Sequence, residues 1–175
     1  MGRRLRDEMI PFMTEDQVRS LVKSIAAELE RDYRSREVVM ICPLKGSILF
    51  FADLLRELPE TMKIQTEFVH LSDTEKKGAI KINKDININI KDKHVLIIEE
   101  IIDVGRTLSF LRDRLNSAHP ASVKIVALLD KPARRELPIG PDYVGMTIDD
   151  RYVVGYGMDS EEVGRNYKEI MNFSM

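Results

Sequence analysis

HVLIIEEIIDVGRTLSF, residues 94–110, is the stretch on which the fold turns. Its apolar run, Val95 to Ile98, is bounded by two adjacent carboxylates, Glu99 and Glu100. Ile101, Ile102, the turn Asp103-Val104-Gly105 and Arg106 follow, and Thr107 opens an amphipathic segment. Buried strand, acidic ledge, small-residue turn and helix start therefore succeed one another without a gap. A helix beginning there exposes unpaired backbone N–H groups and the positive end of its dipole. Gly105 permits positive φ and close backbone approach, and the Thr107 hydroxyl adds a donor, which together suit a phosphate dianion. Glu99 and Glu100 can accept from sugar hydroxyls or share a hard cation. The expected ligand is a phosphorylated sugar.

Outward from this stretch the pattern alternates helix and strand. Thr14 and Gln17 form a capping box ahead of Val18, Leu21, Val22, Ile25 and Leu29 at helical spacing. Residues 37–43 read as a buried strand, 44–47 as a turn, and 48–58 as a helix stopped by Pro59. A strand is expected at 63–71, an exposed loop at 72–78, and a half-buried strand or ribbon at 79–90. Strand 95–98 and helix 107–116 precede another buried strand at 122–129, and short strands are expected at 143–148 and 152–155. Helices alternating with continuous apolar strands specify an α/β fold, a mainly parallel twisted sheet flanked by helices. Ligands of such sheets bind at the carboxyl ends of the strands. Residues 43–47, 99–107 and 131–135 lie at those ends.

Composition excludes several classes. The chain has 175 residues, 43% hydrophobic and 32% charged, enough for one domain with its own core. A net charge of −2 gives no basic surface for nucleic acid. No apolar run approaches the roughly 20 residues of a membrane span. The opening MGRRLRDE has no apolar segment behind it and does not read as a signal peptide. The one cysteine, Cys42, sits inside an apolar run and reads as a buried strand residue in a reducing, cytoplasmic protein. His70, His94 and His119 show no metal-ligand spacing.

The stretch resembles the phosphoribosyl-pyrophosphate motif of type I phosphoribosyltransferases, and the wider chain is similar to the hypoxanthine-guanine phosphoribosyltransferase family. Four further blocks carry the resemblance: PLKGS followed by LFFADLL (43–55), LLDKP (128–132), DYVG (142–145) and YVVGYGMD (152–159). The resemblance implies the type I phosphoribosyltransferase fold in a single domain, with a core over about 35–135 and a small hood from about 1–15 and 136–175. It implies magnesium-dependent purine salvage: phosphoribosyl pyrophosphate and a 6-oxopurine, hypoxanthine or guanine, give IMP or GMP and pyrophosphate. A homodimer or homotetramer is implied too, with neither nucleic acid nor membrane as partner. Position by position, Glu99 and Glu100 match the pair that holds the ribose hydroxyls and organises Mg²⁺, with Asp159 as a further magnesium ligand. Asp103 matches the carboxylate that handles the proton at purine N7. Asp103, Val104, Gly105, Arg106, Thr107 and Leu108 match the 5′-phosphate loop. Lys45 and Gly46, after a peptide that is often cis in the family, match the pyrophosphate loop, and Arg165 a pyrophosphate contact. Tyr152 matches the residue stacked on the purine and Val153 the backbone reading its edge.

Four positions depart from that pattern. Val104 replaces a threonine and removes one hydroxyl donor, a bond worth about 1.5–3 kcal/mol when charge-assisted. Glu100 stands where aspartate is common. The family's Ser-Tyr pair on the mobile loop is replaced by Asp73 and Thr74 in a shorter loop, 72–78. Gly140 stands where the family places the lysine that meets the purine's exocyclic oxygen. Lys131, Arg134 and Arg135 are the cations available to substitute. The altered loop and Gly140 motivate an alternative: a diverged paralogue that binds nucleotide or phosphoribosyl pyrophosphate as a regulator, with weak or no transfer.

Overall fold

The computed structural model describes residues 9–73 and 79–173. Nine strands and three α-helices occur in the described residues: β1 (Met9–Met13), α1 (Glu15–Tyr33), β2 (Glu37–Leu44), α2 (Ile48–Glu57), β3 (Lys63–Asp73), β4 (Ile80–Lys84), β5 (His94–Ile102), α3 (Arg106–Asn116), β6 (Ser122–Asp130), β7 (Tyr143–Thr147), β8 (Val153–Val154) and β9 (Ile170–Phe173). The main sheet has the order β4-β3-β2-β5-β6-β7. All its neighbours pair in parallel except β3 and β4. A smaller antiparallel sheet, β1-β9-β8, joins the two ends of the chain as the hood.

The central strands are apolar on both faces because both faces are covered. Val38, Met40 and Cys42 of β2 pack toward α1 and α2, against Val22, Ile25, Phe50 and Leu54. Val39 and Ile41 pack on the other face with Leu108, Leu111 and Leu115 of α3. The capping box at the start of α1 is formed: Gln17 N–H donates to Thr14 Oγ1 at 3.3 Å, and Thr14 N–H to Gln17 Oε1 at 2.9 Å. Adjacent strands β2 and β5 thus send their following helices to opposite faces. That divergence opens a crevice at their carboxyl ends, and it positions the site.

Several expected boundaries move. β5 does not end at Ile98 but runs through both glutamates to Ile102. β3 extends to Asp73, so the expected loop starts later, and Thr74 to Gly78 lie outside the described residues. The alternating run 79–90 is a strand only over Ile80–Lys84. Beyond it, Asp85 Oδ1 takes the N–H of Ile86, and Asn89 Oδ1 that of Lys91, so side chains capture the backbone that a ladder would need. The segment assigned to the hood from residue 136 onward instead supplies β7 to the main sheet, where Asp142 Oδ2 accepts the N–H of Ile125.

Candidate functional site

A cavity of about 300 Å³ occupies the crevice, lined by residues 43–47 from the end of β2 and 99–108 from the end of β5. Its floor is the turn into α3. Gly105 caps the helix at φ +86°, and a Cβ there would lie 2.6 Å from Ile139 Cγ2, so both conformation and space demand glycine. The N–H groups of Arg106, Thr107 and Leu108 belong to the first turn of an eleven-residue helix and have no partner within it. Residues 134–139 brace this turn from outside. Arg135 donates to the Asp103 carbonyl and forms a buried ion pair with Asp130. Glu136 N–H donates to the Val104 carbonyl at 3.1 Å, and Arg106 pairs with the Glu136 carboxylate.

The wall is acidic. The buried Ser47 hydroxyl lies 3.0 Å from Glu99 Oε2 and 2.5 Å from Glu100 Oε2. Burial pushes the Glu99 carboxyl well above its ordinary range and Glu100 adds by repulsion, while the Ser47 hydrogen bond opposes both. Burial also raises Glu100; Ser47 and Arg165 oppose that rise and Asp159 adds to it. Two half-buried carboxylates with so little counter-charge form a hard-oxygen donor set that a dication would relieve.

Glycines set the spacing between wall and loop. The Leu44–Lys45 peptide is cis. A Cβ on Gly46 would lie 1.8 Å from Glu100 Oε1. Gly157 (φ +98°) backs onto the same residue from the hood, where a Cβ would lie 1.9 Å from the Gly46 carbonyl oxygen. The charged groups of loop and hood are also joined. Lys45 Nζ donates to Glu162 Oε2 at 2.8 Å and holds that carboxyl below its usual range. Arg165 pairs with Asp159 at 2.8 Å and Glu162 at 3.3 Å and donates to the Gly157 carbonyl, leaving its buried Nε without a partner.

The expected residues therefore fall into two groups. Lys45, Gly46, Glu99, Glu100, Asp103, Val104, Gly105, Arg106, Thr107 and Leu108 line one cavity. Tyr152, Val153, Asp159 and Arg165 sit on the hood outside its lining; Tyr152 is exposed with its hydroxyl 3.1 Å from the Asp159 carbonyl, and Val153 is buried in β8. Among the described residues no three His, Cys, Asp or Glu side chains converge as a metal set, although Asp159 is near enough to the pair to act on Glu100. One residue, Glu162, and one contact, that of Arg134 with Asp103, escaped the sequence reading. Glu162 bridges Lys45 of the 44–47 loop and Arg165 of the hood, and Arg134 Nε donates to Asp103 Oδ1 at 3.0 Å. A second cavity, about 390 Å³, lies between α1, α2 and the hood and shares no lining residue with the first.

A model of the phosphoribosyl transferase domain matches residues 14–161. The chain is 39% identical over 159 residues to the hypoxanthine-guanine phosphoribosyltransferase of Staphylococcus aureus (strain Mu50), covering 89% of this chain and 88% of that protein. The crystal structure of a hypoxanthine-guanine phosphoribosyltransferase from Bacillus anthracis, with HEPES in its active site, superposes with a TM-score of 0.88 at 40% identity, over 95% of this chain and 97% of that one. A hypoxanthine phosphoribosyltransferase from Trypanosoma cruzi, in complex with the product IMP, superposes with a TM-score of 0.91 at 32% identity, over 99% and 98%.

Proposed function

The chain belongs to the phosphoribosyl transferase family, and we propose that the crevice between β2 and β5 is where it works as a purine-salvage pentosyltransferase. The reaction transfers 5-phosphoribosyl from phosphoribosyl pyrophosphate to hypoxanthine or guanine, giving IMP or GMP and pyrophosphate. The observation that carries this reading is one cavity in which a glycine-capped helix N-terminus faces a half-buried pair of glutamates.

Each part has a task. The N–H groups of the first turn of α3 and the Thr107 hydroxyl bind the 5′-phosphate. With Val104 supplying no hydroxyl, the backbone donors carry more of that contact. Glu99 and Glu100 accept from the ribose hydroxyls. Lys45 and Arg165, released from Glu162 and Asp159, neutralise the departing pyrophosphate. Asp103, released from Arg134, takes the purine's proton at N7 as N9 bonds the ribose C1 and the bond from C1 to pyrophosphate breaks. Tyr152 stacks on the base and Val153 presents backbone to its edge. The hard-oxygen donors of Glu99 and Glu100 fit Mg²⁺, with Asp159 as a further ligand; bound there, the ion supplies positive charge against the leaving group. One domain, a cytoplasmic setting and a homodimer or homotetramer complete the proposal. The open edge strand β7, with Val144 and Met146 exposed, supports self-association, and no helix among the described residues is long and apolar enough to cross a membrane.

The test is turnover. Purified protein with Mg²⁺, phosphoribosyl pyrophosphate and each of hypoxanthine, guanine, xanthine and adenine is expected to consume hypoxanthine and guanine. No turnover with any base would overturn the proposal and return the binding-only alternative.

A further inference from the structure

Glu162 sits in a turn that its own side chain does not favour. Ser160 and Val163 close a two-residue hairpin turn: Ser160 N–H donates to the Val163 carbonyl at 2.9 Å, and Val163 N–H to the Ser160 carbonyl at 3.0 Å. Both residues between them are left-handed, Glu161 at φ +51° and Glu162 at φ +67°. Turns of this kind favour glycine and asparagine. Such conformations persist only where the surroundings over-determine them. Here the Asp159 carboxylate accepts the Glu162 N–H at 2.8 Å and seats the turn. The Glu162 carboxylate is thereby delivered to two cations that lie 120 residues apart in the chain.

Those cations are the two to which the pyrophosphate falls. Lys45 Nζ lies 2.8 Å from Glu162 Oε2 and Arg165 Nη2 3.3 Å from Oε1, so each oxygen serves one cation. The Lys45 hydrogen bond is the main cause that holds the carboxyl below its usual range, and the Arg165 charge adds to it. The backbone carrying both cations is fixed without Glu162. Gly157 N–H donates to the Arg165 carbonyl at 2.9 Å, Arg165 Nη1 returns to the Gly157 carbonyl at 2.9 Å, and Gly157 backs onto Gly46, the residue after Lys45. Neither cation is in a finished structural pair. The Lys45 and Glu162 side chains are 58% and 64% exposed, and pairs so exposed exchange partners readily. Arg165 keeps its buried Nε unpartnered. Glu161, in the same turn, makes no side-chain hydrogen bond or ion pair among the described residues.

We propose that Glu162 is an internal competitor of pyrophosphate: its carboxylate occupies Lys45 and Arg165 in the empty site and reclaims them as pyrophosphate departs. This rests on the transferase reading above. Glu162 touches no reacting atom; it is a positioning residue that acts through the two cations. Its role has a distinctive sign. Losing a structural or binding group weakens a ligand, whereas losing a competitor tightens it and slows its release.

The experiment titrates inorganic pyrophosphate with Mg²⁺ calorimetrically into wild type, Glu162→Gln and Glu161→Gln, alongside turnover of hypoxanthine. Glu162→Gln is expected to bind pyrophosphate about threefold or more tightly than wild type, the order that exchange of an exposed pair supplies. Product inhibition by pyrophosphate should strengthen by the same factor, with the KM for hypoxanthine unchanged. Glu161→Gln removes the same charge from the same turn and should bind as wild type does. In a Lys45→Met background the gain from Glu162→Gln should shrink, because one of its two cations is gone. Should the glutamine variant fail to fold, Glu162→Gly, which suits the left-handed backbone, carries the same expectation. Unchanged or weaker pyrophosphate binding in a folded Glu162 variant, equal tightening in Glu161→Gln, or a gain undiminished by Lys45→Met overturns the assignment of Glu162 alone. A wild type that neither consumes hypoxanthine nor binds pyrophosphate overturns the transferase reading and this inference together.

Discussion

Gly46 and Gly157 pack against each other, yet alanine at the two should fail in opposite ways. At Gly46 the new Cβ would stand 1.8 Å from Glu100 Oε1 and 2.6 Å from its Cδ. The obstacle is the far end of a side chain, so it can retreat, by more than about 1 Å to reach ordinary contact. The retreat costs about 0.5–1.5 kcal/mol of rotamer strain and the hydrogen bond from Ser47, about 1 kcal/mol. Catalysis suffers more, because moving a positioning group by about 1 Å can cost 10²-fold in rate. At Gly157 the Cβ meets the Gly46 carbonyl oxygen at 1.9 Å and its carbon at 3.0 Å, both backbone, with φ at +98°. No rotamer relieves that. Overpacking at about 1–3 kcal/mol and a left-handed residue at about 1–2 kcal/mol add to roughly 2–5 kcal/mol. For a domain of this size each kcal/mol lowers Tm by about 2–4 °C. Thermal melts and steady-state kinetics with phosphoribosyl pyrophosphate varied separate the two variants. Gly46→Ala should melt within a few degrees of wild type and lose about 10²-fold in kcat/KM, whereas Gly157→Ala should lose on the order of 10 °C. The reasoning is refuted if Gly46→Ala stays within threefold of wild-type activity, or melts as low as Gly157→Ala.

Asp103→Asn should lower kcat by about 10²–10⁴-fold while IMP binding changes little; equal losses in both would deny Asp103 the proton. Arg135→Met should destabilise by about 3–5 kcal/mol because it strands the buried Asp130 carboxylate, and adding Asp130→Asn should recover part of that loss; additive urea-unfolding energies would show that the two do not interact. Burial pushes the Cys42 thiol up to about 12, so native protein should resist alkylation at pH 9 and react only when unfolded. The sign for stability follows: the unfolded thiol ionises from about pH 9 while the folded one keeps its proton, so stability should decline as pH rises from there toward 12. Rapid labelling of the folded chain would contradict the burial.

What the sequence disclosed and what it hid divide along the range of the interactions. β2, β5 and β6 are legible because burial on both faces leaves continuous apolar runs, and α1 because Thr14 and Gln17 satisfy each other within one turn. β1 and β9 were not read at all: they are five and four residues long, and their partners lie at opposite ends of the chain. β7 was recognised as a strand but counted with the hood, since its place depends on Asp142 gripping β6 through Lys124 and Ile125. The cavity-lining residues were legible because they form two contiguous segments. Glu162 and the Arg134 contact to Asp103 were not, because counter-ions across 117 and 31 residues leave no local pattern.

Those counter-ions also sort the site's charges by how readily they change partner. Lys45–Glu162 and Arg134–Asp103 are exposed pairs, with side chains 44–64% accessible. Pairs of that kind contribute about 0–1 kcal/mol, so a phosphorylated ligand displaces them at little cost. On the proposed mechanism Glu162 stands in for the anion, holding Lys45 and Arg165 where pyrophosphate would meet them. Arg135–Asp130 is the opposite case, a pair almost fully withdrawn from water whose arginine also holds the Asp103 carbonyl. Breaking it would uncover a buried charge, so it stays closed and fixes the backbone at Asp103. On the proposed mechanism, the readily released pairs free Lys45 for pyrophosphate and Asp103 for the proton, while the fixed pair holds the backbone that carries Asp103.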